Sequence, residues 1–235
     1  MGTFIVTGAS AGIGREVALT LARRQHRVLA LARSSERLLE IAALDRHIVP
    51  LTTDLSDASA IAALADRLKD EAIDGLFNNA AIQWNVAFAA DGYGPDEITA
   101  EIATNLAAPI LLTHLVARMA KRPLIVVNIN SGLGLFPKST SAVYSATKAG
   151  LRMFGRAIAA QGGGNIRVVD VILPLVDTAM TAGRGTGKLA PKTAAAAIVA
   201  ALDSQQREVY VGKAKALRIL ARIAPSIAGR IMRRM

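Results

Sequence analysis

The sequence contains no cysteine, and aromatic residues make up only 4% of its 235 residues. Without thiols the chain can hold neither a disulfide framework nor a thiolate metal site, so we expect a cytoplasmic protein without a bound metal. Hydrophobic residues still make up 52% of the chain, so the core must be built from Ala, Leu, Ile and Val. This composition is typical of packed α/β layers and argues against disorder.

Long uninterrupted hydrophobic segments are also lacking. The first ten residues, MGTFIVTGAS, have no basic region ahead of an apolar run and do not resemble a signal peptide. The uncharged stretch 102–117 is short for a membrane span and contains Asn105, Pro109 and His114. We therefore expect no transmembrane helix.

Acidic residues are scarce at the end of the chain. Residues 207–235 hold eight basic residues and one acidic residue, a net +7 out of the +10 of the whole chain. A surface that binds nucleic acid would combine basic residues with stacking aromatics, but the only aromatic residue in this region is Tyr210. We expect no nucleic-acid partner.

Short β-branched runs alternate with Ala-rich helical stretches along the chain. The alternation predicts strands at 3–7, 27–32, 47–55, 73–80, 123–130, 166–173 and 207–212, and helices at 14–25, 35–45, 57–71, 96–119, 140–161 and 191–203. The strands are almost continuously apolar, which indicates a parallel sheet buried on both faces. The sequence thus predicts a single α/β domain over 1–212, a Rossmann-type doubly wound parallel sheet of about seven strands flanked by helices, followed by a basic tail over 213–235.

A glycine-rich segment, TGASAGIG, follows the first predicted strand and opens the first helix. Glycines at 8, 12 and 14 allow positive φ angles and a close approach of a diphosphate to the backbone. The helix N-terminus then presents free N–H groups to the anion. Tight βα turns also use glycine for purely structural reasons, so the segment alone is a modest indication of a dinucleotide site.

The segment YSATK places Tyr144 four residues ahead of Lys148, on one face of a predicted helix. A cation about 5 Å from the phenol, at an effective dielectric of about 20, favours the phenolate by about 3 kcal/mol. This would bring the tyrosine closer to the range useful for proton transfer, although such a pair also arises by chance.

Taken together, these motifs resemble those of the short-chain dehydrogenase/reductase family, single-domain NAD(P)-dependent oxidoreductases. The resemblance runs from Thr3 to about Gly212. It is carried by TGASAGIG at 7–14, DL at 54–55, NNAA at 78–81, Asn105, Ser131 and YSATK at 144–148, in the order typical of the family.

The resemblance implies four catalytic residues. Tyr144 would give a proton to a carbonyl or take one from an alcohol, and Ser131 would hydrogen-bond the substrate oxygen. Lys148 would hold the nicotinamide ribose and lower the pKa of Tyr144, and Asn105 would anchor a proton-relay water. For Asn105 and Ser131 the alternative is a structural polar residue at the end of a helix or strand. The hydride itself would move between the nicotinamide and the substrate carbon.

The resemblance also implies the cofactor contacts. Asp54 and Leu55 would face the adenine, with a loop cap as the alternative role for Asp54. Asn78 and Ala80 would line the ribose and adenine. The cofactor-binding set as a whole is Gly8, Ser10, Gly12, Ile13, Gly14, Arg33, Asp54, Leu55, Asn79, Ala80, Tyr144, Lys148, Val176 and Thr178.

Two departures from the family pattern concern the backbone near this site. Ala81 stands where the family usually has glycine, and Leu173–Pro174 stand where it has Pro-Gly. The segment 179–190 occupies the place of the family's mobile substrate loop.

The second predicted strand ends in Ala32, followed by Arg33 and two serines, with no acid at its tip. An acid there binds the 2′-hydroxyl of NAD, whereas an arginine accommodates the 2′-phosphate of NADP. Arg33 therefore favours NADP(H) over NAD(H), unless it is merely a solvated surface arginine. The expected partners are a small carbonyl or alcohol substrate and further copies of the chain, in a homodimer or homotetramer. A catalytically silent nucleotide-sensing or scaffold protein is the alternative function.

The tail 213–235 is amphipathic and is interrupted by Pro225, which can start a second helix. On a helical wheel Leu217, Leu220, Ala224, Ile231 and Met235 share one sector, and basic residues lie opposite. Two roles stay open: docking on the body or on a second subunit, and contact with an anionic membrane.

Overall fold

The structure, a computed structural model, describes residues 1–161 and 165–233. The glycine run 162–164, expected to end a helix, and Met235 of the tail lie outside the described residues. The strands are β1 (Thr3–Thr7), β2 (Arg27–Ala32), β3 (Ile48–Thr52), β4 (Ile73–Asn78), β5 (Leu124–Ser131), β6 (Ile166–Leu173) and β7 (Glu208–Tyr210). They form one parallel sheet in the order β3-β2-β1-β4-β5-β6-β7, which confirms the predicted doubly wound fold.

Helices cover both faces of the sheet and build two apolar layers. The helices are α1 (Gly12–Arg23), α2 (Ser35–Ala42), α3 (Ala58–Ala62), α4 (Leu64–Leu68), α5 (Pro95–Ile102), α6 (Ala108–Met119), α7 (Ala142–Ala160), α8 (Pro191–Ala200), α9 (Ala214–Ile223) and α10 (Pro225–Arg233). Residues of α1, α2 and α8 pack on one face, and residues of α4 and α6 pack on the other. The core is aliphatic, as the composition predicts.

Several predicted boundaries change. β3 and β4 end at Thr52 and Asn78, three and two residues before their predicted ends. The helix predicted over 57–71 is two short helices, α3 and α4, and no Gly or Pro marks the break at Ala63. The helix predicted over 96–119 contains a π-helical turn, Ala103–Ala107, between α5 and α6.

The segment Pro95–Met119 is long and apolar enough to cross a membrane by length and composition alone. Here it packs as a core helix, because Leu112 and Val116 on its inner side are buried against the sheet. Its outer side leaves Leu111 partly exposed.

The tail forms two helices that pack on the turn after β5. Ala228 and Met232 are buried, and the Leu217 side chain lies 2.8 Å from where a Cβ on Gly132 would be. Pro225 begins α10, as predicted. The predicted apolar sector is wrong at Ile231, which is 48% exposed, because the chain turns at Ala224 and α10 does not continue the wheel of α9.

The strand order reverses between β1 and β4, which are neighbours although two strands separate them in the chain. The crevice at the carboxyl ends of these strands is where ligands bind in open α/β sheets. The glycine-rich turn after β1 and the NNAA segment after β4 meet at this crevice.

Candidate active site

The glycine-rich turn forms a cradle with no room for side chains. Gly8 and Gly12 have φ angles of +65° and +55°, in the left-handed region that favours glycine. A Cβ on Gly14 would lie 2.2 Å from the carbonyl oxygen of Gly8, and one on Gly8 would lie 3.0 Å from Cα of Ala80. The backbone N–H groups at the start of α1 are therefore open to an anion, and this cradle fits the diphosphate of a dinucleotide.

A cavity of about 260 Å³ continues from the glycine turn to the tip of β2. Predicted cofactor residues line it: Gly8, Ser10, Arg33, Asp54, Leu55 and Ala80. Sequence reasoning did not select five further lining residues: Arg37, Thr53, Ser56, Ile82 and Thr104. Arg37 lies four residues past Arg33, in the first turn of α2, and this second arginine could have indicated a further phosphate contact. Two arginines therefore line the cavity beside the glycine turn.

Asp54 lines this cavity and also caps its own loop. Its Oδ1 accepts hydrogen bonds from the backbone N–H of Ser56 at 2.9 Å and from the Ser56 hydroxyl at 2.7 Å. These bonds lower the pKa of Asp54, and the charge of Arg33 adds to the effect. The carboxylate is therefore ionised and fixed in direction at neutral pH.

The two asparagines at the end of β4, Asn78 and Asn79, have separate structural roles. Asn79 donates from Nδ2 to the carbonyl oxygen of Thr7 at 2.8 Å, and its backbone N–H donates to the Thr7 hydroxyl at 2.9 Å. These bonds tie the glycine turn to the end of β4. The prediction that Asn78 lines the ribose is wrong, because Asn78 is the last residue of β4 and points under the helices, where it donates to Asn128 Oδ1 at 3.0 Å.

The chain after β6 closes the other side of the glycine turn. Thr178 lies next to Gly12: its Cγ2 would be 3.3 Å from a Cβ placed there. Val176 is buried and pairs with Leu189 in a short β-bridge, while Ile13 packs partly buried on the core. Leu173–Pro174 thus replace the family's Pro-Gly without moving Thr178 away from the turn.

Ser131, Tyr144 and Lys148 meet at the carboxyl end of β5. Ser131 is the last residue of β5, and its Oγ accepts a hydrogen bond from the Leu133 N–H at 3.2 Å. Tyr144 and Lys148 lie on the inner face of α7 and are 9% and 2% exposed. The Lys148 ammonium donates to the carbonyl oxygen of Ile129 at 2.9 Å.

The charge states in this group differ from the sequence expectation. Burial raises the pKa of Tyr144 to about 12, while the charge of Arg184 and the Ser131 hydroxyl oppose the rise. Burial lowers the pKa of Lys148 to about 8, and the carboxylate of Asp170 opposes the fall. Burial is the largest effect on the pKa of Tyr144 in this arrangement, and the expected lowering of that pKa by Lys148 stays a prediction.

Asn105 lies in the π-helical turn and is completely buried. Its Oδ1 accepts from the Ile82 N–H at 2.8 Å, and its Nδ2 donates to the Ile82 carbonyl oxygen at 2.8 Å. Nδ2 also lies 3.4 Å from the Thr147 hydroxyl on α7. The side chain thus clamps the loop after β4, and its role in a water relay stays a prediction.

Two charged residues near Tyr144 and Lys148 were missed by the sequence reasoning. Asp170 of β6 is 2% exposed, accepts from Asn130 Nδ2 at 2.9 Å, and has its pKa raised to about 6 by burial. Arg184 comes from the predicted substrate loop and donates to Gln83 Oε1 at 3.0 Å. An acid in the middle of an apolar strand was the available signal for Asp170, whereas nothing local singled out Arg184.

A profile described as short chain dehydrogenase matches residues 2–188. The chain belongs to the short-chain dehydrogenase family. Ketoacyl reductase HetN of Nostoc sp. is 32% identical, over 98% of this chain and 88% of its own. L-xylulose reductase of Caenorhabditis elegans is 37% identical, over 75% of this chain and 72% of its own.

Solved structures agree with this assignment. A short chain dehydrogenase from Burkholderia cenocepacia in complex with NADP has a TM-score of 0.85 and 26% identity, over 98% of this chain and 97% of its own. This short-chain dehydrogenase is therefore an oxidoreductase that acts on CH–OH or C=O groups and uses a nicotinamide cofactor.

Proposed function

We propose that this short-chain dehydrogenase is an NADP(H)-dependent carbonyl reductase in which Tyr144 is the proton donor and Ser131 the hydrogen-bond donor to the substrate oxygen. The observation that carries the proposal is the position of Tyr144 and Ser131 together at the carboxyl end of the sheet, beside the glycine cradle. The nicotinamide would supply the hydride. The chain's own residues would orient the carbonyl and deliver the proton.

The charge state of Tyr144 is compatible with the reduction of a carbonyl. With a pKa of about 12, the phenol carries its proton at neutral pH and is ready to donate it to a developing alkoxide. Ser131 would stabilise the same oxygen as it gains charge. Lys148 would bind the cofactor ribose as an ammonium, which its pKa of about 8 allows at neutral pH.

NADP(H) is favoured by the two arginines of the nucleotide cavity. Arg33 and Arg37 both line it, and a 2′-phosphate offers oxygens suited to guanidinium groups. A short-chain dehydrogenase from Sphingobium yanoikuyae, 26% identical with a TM-score of 0.83, was solved in complex with NADPH. The NADPH complex of this neighbour and the two arginines both support the proposal.

The test is NADPH oxidation against a panel of aldehydes, ketones and acyl substrates, with NADH in parallel. We expect turnover of at least one carbonyl class with NADPH. Tight NADPH binding without turnover of any class would favour the silent nucleotide-sensing function instead.

Two further interactions belong to this proposal. We propose that the chain self-associates as a homodimer or homotetramer, because Leu111 and Met153 leave apolar side chains exposed on the neighbouring helices α6 and α7. Light scattering of the purified protein tests this. We also propose that α9 and α10 contact an anionic membrane while the enzyme works in the cytoplasm.

The membrane contact is supported by the outer side of the tail. Ile219 and Ile223 of α9 are 59% and 78% exposed, and Ile227 and Ile231 of α10 are both 48% exposed. The sequence of residues 213–235 has seven basic residues and no acid. Exposed isoleucines flanked by uncompensated positive charge suit the interface of an anionic bilayer.

A further inference from the structure

A chain of hydrogen bonds links three loops near Tyr144. These loops follow β4, β5 and β6, whose carboxyl ends share one edge of the sheet. Arg184 donates to Gln83 Oε1 at 3.0 Å, and Gln83 Nε2 donates to the Ser141 hydroxyl at 3.0 Å. Ser141 is the residue just before α7, three positions ahead of Tyr144. This chain of hydrogen bonds therefore passes close to the proposed proton donor.

The chain of hydrogen bonds continues through Asn85 to a second cation, Lys138. The Ser141 hydroxyl donates to Asn85 Oδ1 at 3.3 Å, and the Lys138 ammonium donates to the same oxygen. Arg184 also donates to the carbonyl oxygen of Met180. The hydrogen-bond acceptors of both cations are thus neutral amide or carbonyl oxygens.

The two cations at the ends of this hydrogen-bond chain, Arg184 and Lys138, lack acidic partners in the part of the protein that the structure describes. Neither Lys138 nor Arg184 is among the residues that form ion pairs in 1–161 and 165–233. Glu101 on α5 is already occupied, since its carboxylate accepts from the Tyr93 hydroxyl at 2.7 Å and from the Trp84 N–H at 3.3 Å. Two half-buried cations without a counter-charge repel each other unless an anion joins them.

The electrostatic effects of Arg184 reach both neighbours. Burial lowers the pKa of Lys138, and the charge of Arg184 lowers it further. The same guanidinium opposes the rise in the pKa of Tyr144. An anion held by Arg184 would therefore lie within electrostatic range of the proton donor.

We propose that the substrate is an anionic carbonyl compound whose carboxylate or phosphate group binds between Arg184 and Lys138 while its carbonyl group lies against Ser131 and Tyr144. The inference rests on the proposed reductase function and adds the substrate class. In the reaction the C=O π bond breaks, the carbon gains hydride from NADPH, and the oxygen gains the Tyr144 proton. NADPH is oxidised to NADP⁺, the carbonyl is reduced to an alcohol, and solvent returns the proton to Tyr144.

The first test compares matched substrates at saturating NADPH. 4-Carboxybenzaldehyde is compared with methyl 4-formylbenzoate, and glyceraldehyde 3-phosphate with glyceraldehyde. We expect kcat/KM to favour the charged member of at least one pair by roughly ten- to a hundredfold, since a charge-assisted hydrogen bond is lost in the neutral member. The pair with the larger ratio distinguishes a carboxylate from a phosphate ligand. Equal or higher kcat/KM for both neutral members would overturn the inference and leave the reductase function intact.

Variants separate binding from folding. Arg184→Ala and Lys138→Met should each raise KM for the preferred anionic substrate by roughly tenfold or more, with little change for its neutral partner. Arg184→Lys should restore part of the preference. Lys192→Ala, which removes an exposed positive charge at the start of α8, is the matched control and should change neither substrate. An equal rise in KM for charged and neutral substrates in Arg184→Ala would mean that Arg184 has only a structural role.

A binding measurement keeps the inference testable without turnover. Benzoate and phenyl phosphate are titrated into the NADP⁺-saturated protein by calorimetry, with benzamide, which has no oxidisable alcohol group, as the neutral probe. We expect one anion to bind and its affinity to fall roughly tenfold or more in Arg184→Ala. Absence of anion binding to the wild-type protein would refute the anion site, whatever the panel of carbonyl substrates shows.

Discussion

The Lys148 ammonium lies 5.7 Å from the centre of the Tyr144 ring. It donates its hydrogen bond elsewhere, to the carbonyl oxygen of Ile129 on β5. The pair therefore shares one face of α7 as the i, i+4 spacing requires, yet the lysine is held by the sheet rather than by the phenol. This separation is compatible with the proposed roles, in which Tyr144 carries the proton and Lys148 contacts the cofactor.

Replacing Tyr144 with Phe should remove the proton donor and leave the cofactor site unchanged. We expect kcat to fall by about 10²–10⁴-fold, with NADPH affinity near that of the wild type. Tyr210→Phe is the matched control, because Tyr210 is also buried but bonds to Glu208 at 2.9 Å. Near-normal turnover in Tyr144→Phe would contradict the assigned chemistry.

Asp170 should set the pH range over which Lys148 holds the cofactor. Its carboxylate raises the pKa of Lys148, so Asp170→Asn should lower that pKa below its value of about 8. The wild type should lose NADPH affinity as pH rises through about 8, and the variant should lose it at lower pH. Fluorescence titration of NADPH across pH measures both curves.

The control for this shift is Asp203→Asn, which makes the same chemical change at a side chain that is 82% exposed. Its pH profile should coincide with that of the wild type. Identical profiles for Asp170→Asn and wild type would show that Asp170 does not act on Lys148.

Arg33→Ala should weaken NADPH binding by roughly ten- to a hundredfold, because a charge-assisted hydrogen bond to phosphate contributes about 1.5–3 kcal/mol. NADH has no 2′-phosphate and should bind almost unchanged. Arg15→Ala is the comparison, since Arg15 pairs with Glu16 at 2.9 Å and should matter less. A wild-type preference for NADH would refute the NADP assignment but not the enzyme class.

Gly14→Ala should damage the cradle itself. Its Cβ would lie 2.2 Å from the Gly8 carbonyl oxygen, so the backbone must move, at a cost of about 1–3 kcal/mol in the free energy of unfolding. Gly229→Ala is the control, because the nearest atom, in Phe136, would be 3.6 Å away. Thermal melting should show a loss of stability for Gly14→Ala and none for Gly229→Ala. Gly14→Ala should also bind NADPH more weakly.

The outer face of the tail can be tested with exposed residues only. Ile219→Ser with Ile223→Ser should reduce binding to vesicles of equal parts phosphatidylcholine and phosphatidylserine by roughly tenfold or more, since two apolar contacts are lost. Leu39→Ser with Leu44→Ser, both 60% exposed in the wild type, is the matched control. Binding should weaken in high salt and be poor on phosphatidylcholine alone.

Other results of this experiment speak against the membrane. An equal loss of vesicle binding in the control, Leu39→Ser with Leu44→Ser, would indicate non-specific adsorption. A change in mass by light scattering in Ile219→Ser with Ile223→Ser, without vesicles, would indicate instead that a second copy covers this face.

The alternation of apolar strands and helical stretches was enough to predict the sheet. Strand runs such as 27–32 and 166–173 are local, nearly continuous in apolar character and bounded by clear breaks, so their positions follow from residue type alone. The glycine turn is equally local, because glycine adopts the left-handed φ angles at Gly8 and Gly12 more readily than any other residue. Motif order along the chain was sufficient to indicate the family.

Only the tertiary structure decided which polar side chains face which site. Asn78 and Asn79 are adjacent in sequence, but the alternation of a β-strand turns Asn78 under the helices, while Asn79 ties the glycine turn to β4. Arg184 reaches Gln83, 101 residues earlier in the chain, through loops that share an edge of the sheet only once it has formed. Burial decided the direction of the pKa shift of Tyr144, since desolvation depends on everything packed around the phenol, and a five-residue motif contains none of that information.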